Sequence, residues 1–266
     1  MRIHGTKLTI IGMLTLMSAA FFIGLYLLLT NHSSAREPDP ELDMPRQYTY
    51  ASLLASNGME LHVIATLPDN VKPELIENNV ARAPYYGVNG GFFYQDSVLS
   101  MSMWNGLPVN EEGGSYGSGR VNAKYDRGTL VWDGALDRLS IQVVSSASQL
   151  VVSDSANYWA QGGISMSLNR EEEWLVQTEL EHAPLPDNYC LRSAAVYDTE
   201  GVLYLVVSTT KGTLAQFREA ILERVGDSKL EDGIFLDGDG SSQLRTREAK
   251  LSGDGRPVVQ MLRLLR

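Results

Sequence analysis

The sequence predicts an α+β fold: a single domain of mixed or antiparallel sheet with few packed helices, preceded by one N-terminal transmembrane helix. Three observations predict it. Residues 47–266 hold many short runs rich in β-branched and aromatic residues. One segment, beginning at Thr213, carries a complete set of helix signals. Strands outnumber helices and do not alternate regularly with them.

In chain order, "YTYASLLA" (48–55) and "MELHVIATL" (59–67) flank Asn57-Gly58, a hairpin-turn pair. A weaker helix is expected over 70–80, with Pro73 limiting where it starts. Strands are expected at "TLVWD" (129–133), "LSIQVVSS" (139–146) and "EWLVQT" (173–178). "SAAVYD" (193–198) and "VLYLVVST" (202–209) form a hairpin about Asp198–Gly201. Thr213 and Gln216 make a capping box, and Leu214, Phe217, Ile221 and Val225 share one helical face. Gly226 suits the left-handed residue after the last turn. "GIFLD" (233–237) and "VVQMLRLL" (258–265) complete the strands.

Ahead of this body, residues 8–29 run 22 positions without a charge, enough to span a bilayer as a helix. Arg2, His4 and Lys7 precede the run, and acidic residues from Glu37 follow. That asymmetry predicts residues 1–7 inside and an exported body, periplasmic or extracellular. The competing reading is a cleaved signal peptide, since "SSA" (33–35) is an acceptable cleavage site; the length of the run favours the anchor. Residues 30–46, polar with three prolines, read as a tether.

The net charge is −10. Residues 1–36 hold three of the 22 basic residues and no acidic one, so the remainder has 19 basic against 32 acidic. A body this acidic is a poor partner for nucleic acid. The single cysteine, Cys190, excludes an internal disulfide and a cysteine-based zinc site, and reads as a small buried hydrophobe.

Four segments bear chemistry. "FLDGDGSSQL" (235–244) places Asp237, Gly238, Asp239, Ser241 and Ser242 where an apolar strand ends. Carboxylates there serve as acid, base, nucleophile or metal ligand, and glycine amides form an anion-binding concavity; the composition is equally that of a plain turn. "YYGVNGGFFY" (85–94) sets Asn89, Gly90 and Gly91 between aromatic pairs, either as a hairpin turn or as a buried turn facing a ligand. "QGGI" (161–164) begins with Gln161. Arg192 leads a buried strand and has the chemistry to grip a phosphate. The glycine-rich "EGGSYGSGR" (112–120) lacks the ending of a phosphate loop and reads as a mobile loop. His62, in an alternating strand, reads as structural rather than as a triad partner of Ser241.

Taken in order, "VNGGFF", "QGGI", "LRSAAVYDTEGVLYLVVS" and "IFLDGDGSSQL" resemble the pattern of the phosphodiester glycosidase family, which includes many exported, exopolysaccharide-related bacterial proteins. The resemblance covers most of 47–266. It implies a hydrolase that cleaves the sugar–phosphate glycosidic bond of a phosphodiester, with a sugar-phosphate or phosphoglycan as substrate and no required cofactor. By position it carries over Asn89, Gly90, Arg192, Asp237, Gly238, Ser241 and Ser242. Two departures stand out: Asp239 replaces the middle glycine of D-G-G-G, and Ile164 replaces a proline.

On this reading Asp237 is nucleophile or electrostatic stabiliser of an oxocarbenium-like centre, Arg192 grips the phosphate, and Asn89 and the serines position the substrate. Asp239 in the protonated form would split the roles of the two carboxylates. The rivals are a non-catalytic envelope glycan-binding protein and a divalent-metal site at Asp237 and Asp239.

Overall fold

The computed structural model describes residues 44–266, of which Pro45–Arg266 form one compact unit. The expected anchor at 8–29 and most of the tether lie outside the described residues. Among the described residues no helix is long and apolar enough to cross a membrane.

The elements are β1 (Thr49–Leu54), β2 (Glu60–Thr66), β3 (Val71–Asn78), β4 (Gly87–Asn89), β5 (Phe93–Tyr94), β6 (Ser97–Val98), β7 (Ser102–Trp104), β8 (Leu107–Pro108), β9 (Arg127–Asp133), β10 (Arg138–Val144), β11 (Tyr158–Gly162), β12 (Ile164–Ser165), α1 (Trp174–Leu180), β13 (Ser193–Asp198), β14 (Leu203–Ser208), α2 (Leu214–Arg224), β15 (Leu230–Phe235), β16 (Leu244–Arg245), β17 (Lys250–Leu251) and β18 (Val258–Leu264). They form a six-stranded sheet ordered β1-β2-β14-β13-β15-β12, two five-stranded sheets ordered β10-β9-β11-β7-β8 and β17-β16-β4-β18-β3, and a β5-β6 ribbon. The pairings within them are antiparallel. The architecture is thus sheet-rich α+β.

The six-stranded sheet is buried on both faces. Leu61, Val63, Ala194, Val196, Val206 and Phe235 pack with Phe217, Ile221 and Val225 of the α2 segment. The alternate residues Ile64, Ala195, Leu205, Val207 and Ile234 are fully buried as well. The capping box at Thr213 forms in both directions, and Gly226 is left-handed at φ 69°. Both expected hairpins form.

Two expected elements are otherwise. Residues 71–78 are a strand, not a helix: β3 pairs with β18 and buries Val71 and Pro73 with period two. It is an edge strand, where a proline's missing N–H costs no ladder bond. Residues 174–180 are a helix, not a strand. Trp174, Thr178 and Glu181 are buried at helical spacing, and the Arg218 guanidinium lies 4.9 Å from the Trp174 ring. The apolar Leu175 and Val176 that suggested a strand are exposed. The glycine-rich stretch is a loop, but its far half is buried and laced to the sheet: Ser102 N donates to Gly119 O at 2.7 Å and Asn110 N to Ser118 O at 3.1 Å.

Candidate active site

β15 ends at Phe235, and the chain turns through Asp237–Ser241 beside the start of β13. Leu236 N donates to Ser193 O at 2.8 Å and Asp239 N to Leu191 O at 2.7 Å, so the acidic loop lies against Leu191–Ser193. The third segment arrives from β4: Asp237 N donates to Gly90 O at 3.2 Å, and Asn89 Nδ2 donates to Asp237 O at 2.8 Å. Segments around residues 90, 192 and 237 therefore meet at one point.

A small cleft opens there. Arg192, Ser193, Asp237, Gly238 and Asp239 line one part, and Phe92, Ile164, Leu214 and Phe235 line its apolar wall. Cys190 is buried, as the sequence suggests, and also borders the cleft. Asp237 is half-buried and Asp239 exposed.

Burial pushes the Asp237 carboxyl up to about 6, with Asp239 adding to the rise. The Ser241 hydroxyl, the Gly238 amide and the positive charge of Arg256 oppose it. Asp239 has φ 53°, the left-handed region that glycine occupies without strain and aspartate tolerates better than most residues. Its carboxylate makes no hydrogen bond or ion pair with the described residues.

Arg192 is buried at 5% exposure. Its Nε donates to Gly212 O at 3.0 Å, and its Nη2 to Leu185 O at 2.8 Å and Asn188 O at 2.6 Å. No described carboxylate pairs with it, and its Nη1 takes no partner among the described residues. Burial lowers its pKa, while Cys190 and Asp239 act the other way. A buried guanidinium held by carbonyls alone, with one nitrogen free beside a cleft, is suited to an anion.

The other predicted residues lie behind this surface. Asn89 is 1% exposed, and its amide is committed to the protein: Oδ1 accepts from Ser193 Oγ at 2.9 Å and from Gln243 N at 3.0 Å. Gly90 and Gly91 form no hairpin turn. A side chain on Gly91 would come within 2.5 Å of Gly162 O, so the two glycine motifs pack backbone to backbone. Gln161 is fully buried and donates to Met101 O and Gly162 O; it lies outside the cleft lining. Ser241 bonds the Asp237 carboxylate, and Ser242 Oγ is buried without a partner among the described residues. His62 sits apart on β2, its Nδ1 2.6 Å from Tyr50 Oη.

Sequence reasoning missed Ser193, Gln243 and Arg256. Gln243 donates to Arg256 O at 2.9 Å and its Oε1 accepts from Val80 N at 2.8 Å, tying the acidic loop to two further segments. Only its place directly after the serine pair hinted at a role. Among the described residues no three His, Cys, Asp or Glu side chains converge as a metal site.

No protein-family model matches the chain, and no curated protein sequence matches it. Among solved structures, it is similar to the catalytic domain of zebrafish N-acetylglucosamine-1-phosphodiester alpha-N-acetylglucosaminidase, auto-inhibited by its pro-peptide. That likeness has a TM-score of 0.58 and 14% identity, and covers 82% of each chain. A hypothetical protein from Synechocystis matches at TM-score 0.43 and 13% identity, over 81% of this chain and 61% of that one. The first likeness shows a distant relationship of fold.

Proposed function

We propose that residues 47–266 hydrolyse the glycosidic bond of a sugar-1-phosphodiester in envelope or extracellular glycans. Water adds across the anomeric C–O bond, releasing a free sugar and a phosphomonoester. The body is exported and held at the membrane through residues 8–29. The observation that carries this reading is the cleft shared by Arg192, with a free Nη1, and Asp237, in a fold similar to that of an enzyme named for such a reaction.

Arg192 takes up charge on the leaving phosphate, and ionised Asp237 stabilises positive charge developing at C1, by field or by bond. A phosphate is a good leaving group, which lowers the demand for a strong general acid. Asn89 acts through Asp237, as a positioning residue.

A second reading, a phosphoglycan-binding protein without turnover, is favoured by the additional carboxylate of Asp239. Incubating the full chain with activated sugar-1-phosphodiesters separates the two. Release of sugar and phosphomonoester supports hydrolysis; thermal stabilisation without product supports binding.

A further inference from the structure

Arg256 lies outside the cleft lining and outside every motif in the sequence, yet it packs against the loop that carries both carboxylates. Its main-chain carbonyl accepts from Asn79 Nδ2 and Gln243 Nε2, each at 2.9 Å. Gln243 in turn donates to Asn89, so Arg256 is fixed by the same scaffold that holds Asp237. Its side chain folds onto Asp254, with Nε 2.9 and 2.8 Å from the two carboxylate oxygens. This pair stands directly over Gly240: a side chain there would meet Arg256 Nε at 2.6 Å. Asp254 N also donates to Gly240 O at 3.2 Å. The turn over 252–256 is thereby laced to the acidic loop.

Three charged groups line the cleft, and two more pack against Gly240 of its acidic loop. Arg192 comes from the start of β13, Asp237 and Asp239 from the loop after β15, and Asp254 and Arg256 from the turn before β18. Asp254 is spent on Arg256, and both loop carboxylates lie within the field of Arg256. Among the described residues the Asp239 carboxylate has no hydrogen-bond or ion-pair partner. An uncompensated carboxylate there repels any anion approaching Arg192.

Resting on the phosphodiester reading, we infer that Arg256 is a specificity-determining residue: it offsets Asp239, so that a phosphate reaches Arg192 past the carboxylate at the mouth of the cleft. The two residues are a coupled pair, and losing Arg256 matters because Asp239 is present.

The test is calorimetric titration of the full chain with inorganic phosphate at pH 7.5. Arg256→Met should weaken binding about tenfold, whereas Arg256→Lys should retain it. Asp239→Gly should bind at least as tightly as the wild type, and Asp239→Gly with Arg256→Met should return to within about twofold of it. A smaller loss on Arg256→Met in the Asp239→Gly background than in the wild type separates this account from one in which Arg256→Met acts only by stripping Asp254 of its partner, where the loss is the same in both. Wild-type affinity in Arg256→Met, or a double variant as weak as Arg256→Met, overturns the inference, provided Arg192→Met has lost binding. If the wild type and Arg192→Met alike take no phosphate, the phosphodiester reading fails, and the inference falls with it.

Discussion

Asn89 Nδ2 donates to the main-chain carbonyl of Asp237 at 2.8 Å, across 148 residues of sequence. The bond places a buried amide, itself held by Ser193 and Gln243, directly behind the carboxylate at the centre of the cleft. Asn89→Ala strands Ser193 Oγ and Gln243 N. It should cost about 1–3 kcal/mol in urea unfolding, and it should lower turnover by loosening Asp237. Asn89→Asp, which keeps the acceptor and loses the donor, should recover part of the stability and little of the activity.

Asp237→Asn should abolish release of sugar from a sugar-1-phosphodiester while the fold survives. Its stability has a defined sign. The folded carboxyl is raised to about 6 from 3.8, so the stability it lends is complete below about pH 4 and lost as pH rises through 6. At pH 7.5 the ionised carboxylate is a cost, and Asp237→Asn should be more stable than the wild type by about 1–2 kcal/mol, after discounting for its side open to the cleft. At pH 4 the difference should vanish. Denaturant melts at the two pH values check it.

The same elevation sets the pH dependence of the reaction. With Asp237 acting as the anion, kcat/KM should rise from pH 5 to pH 7 with a midpoint near 6. A flat profile across that range would remove its ionisation from the rate.

Asp239→Gly should raise stability by about 0.5–1 kcal/mol at fixed pH, because it relieves a left-handed backbone at φ 53°. Thermal melts measure this without reference to activity.

Local signals account for the parts of the fold that were legible. The capping box at Thr213, the apolar face through Phe217 and Ile221, and the turns at Gly58 and Gly201 are each written within a few residues, and each forms. Residues 71–78 and 174–180 were misread because tertiary packing decides them. Pro73 is tolerated only because β3 is an edge, and Trp174 becomes helical against Arg218, which lies 44 residues further along the chain. That Arg192 and Asp237 act together is only what the resemblance implies; in the structure they line one cleft. The role of Asn89 as a brace, and the place of Arg256 over Gly240, depend on long-range backbone contacts that no local pattern records.

Which bond breaks is the most direct test of the central claim. The full chain, turning over a sugar-1-phosphodiester in ¹⁸O-labelled water, should place the heavy oxygen on the anomeric carbon of the freshly released sugar and leave the phosphomonoester unlabelled. Label in the phosphate, or no sugar released at all, would contradict it.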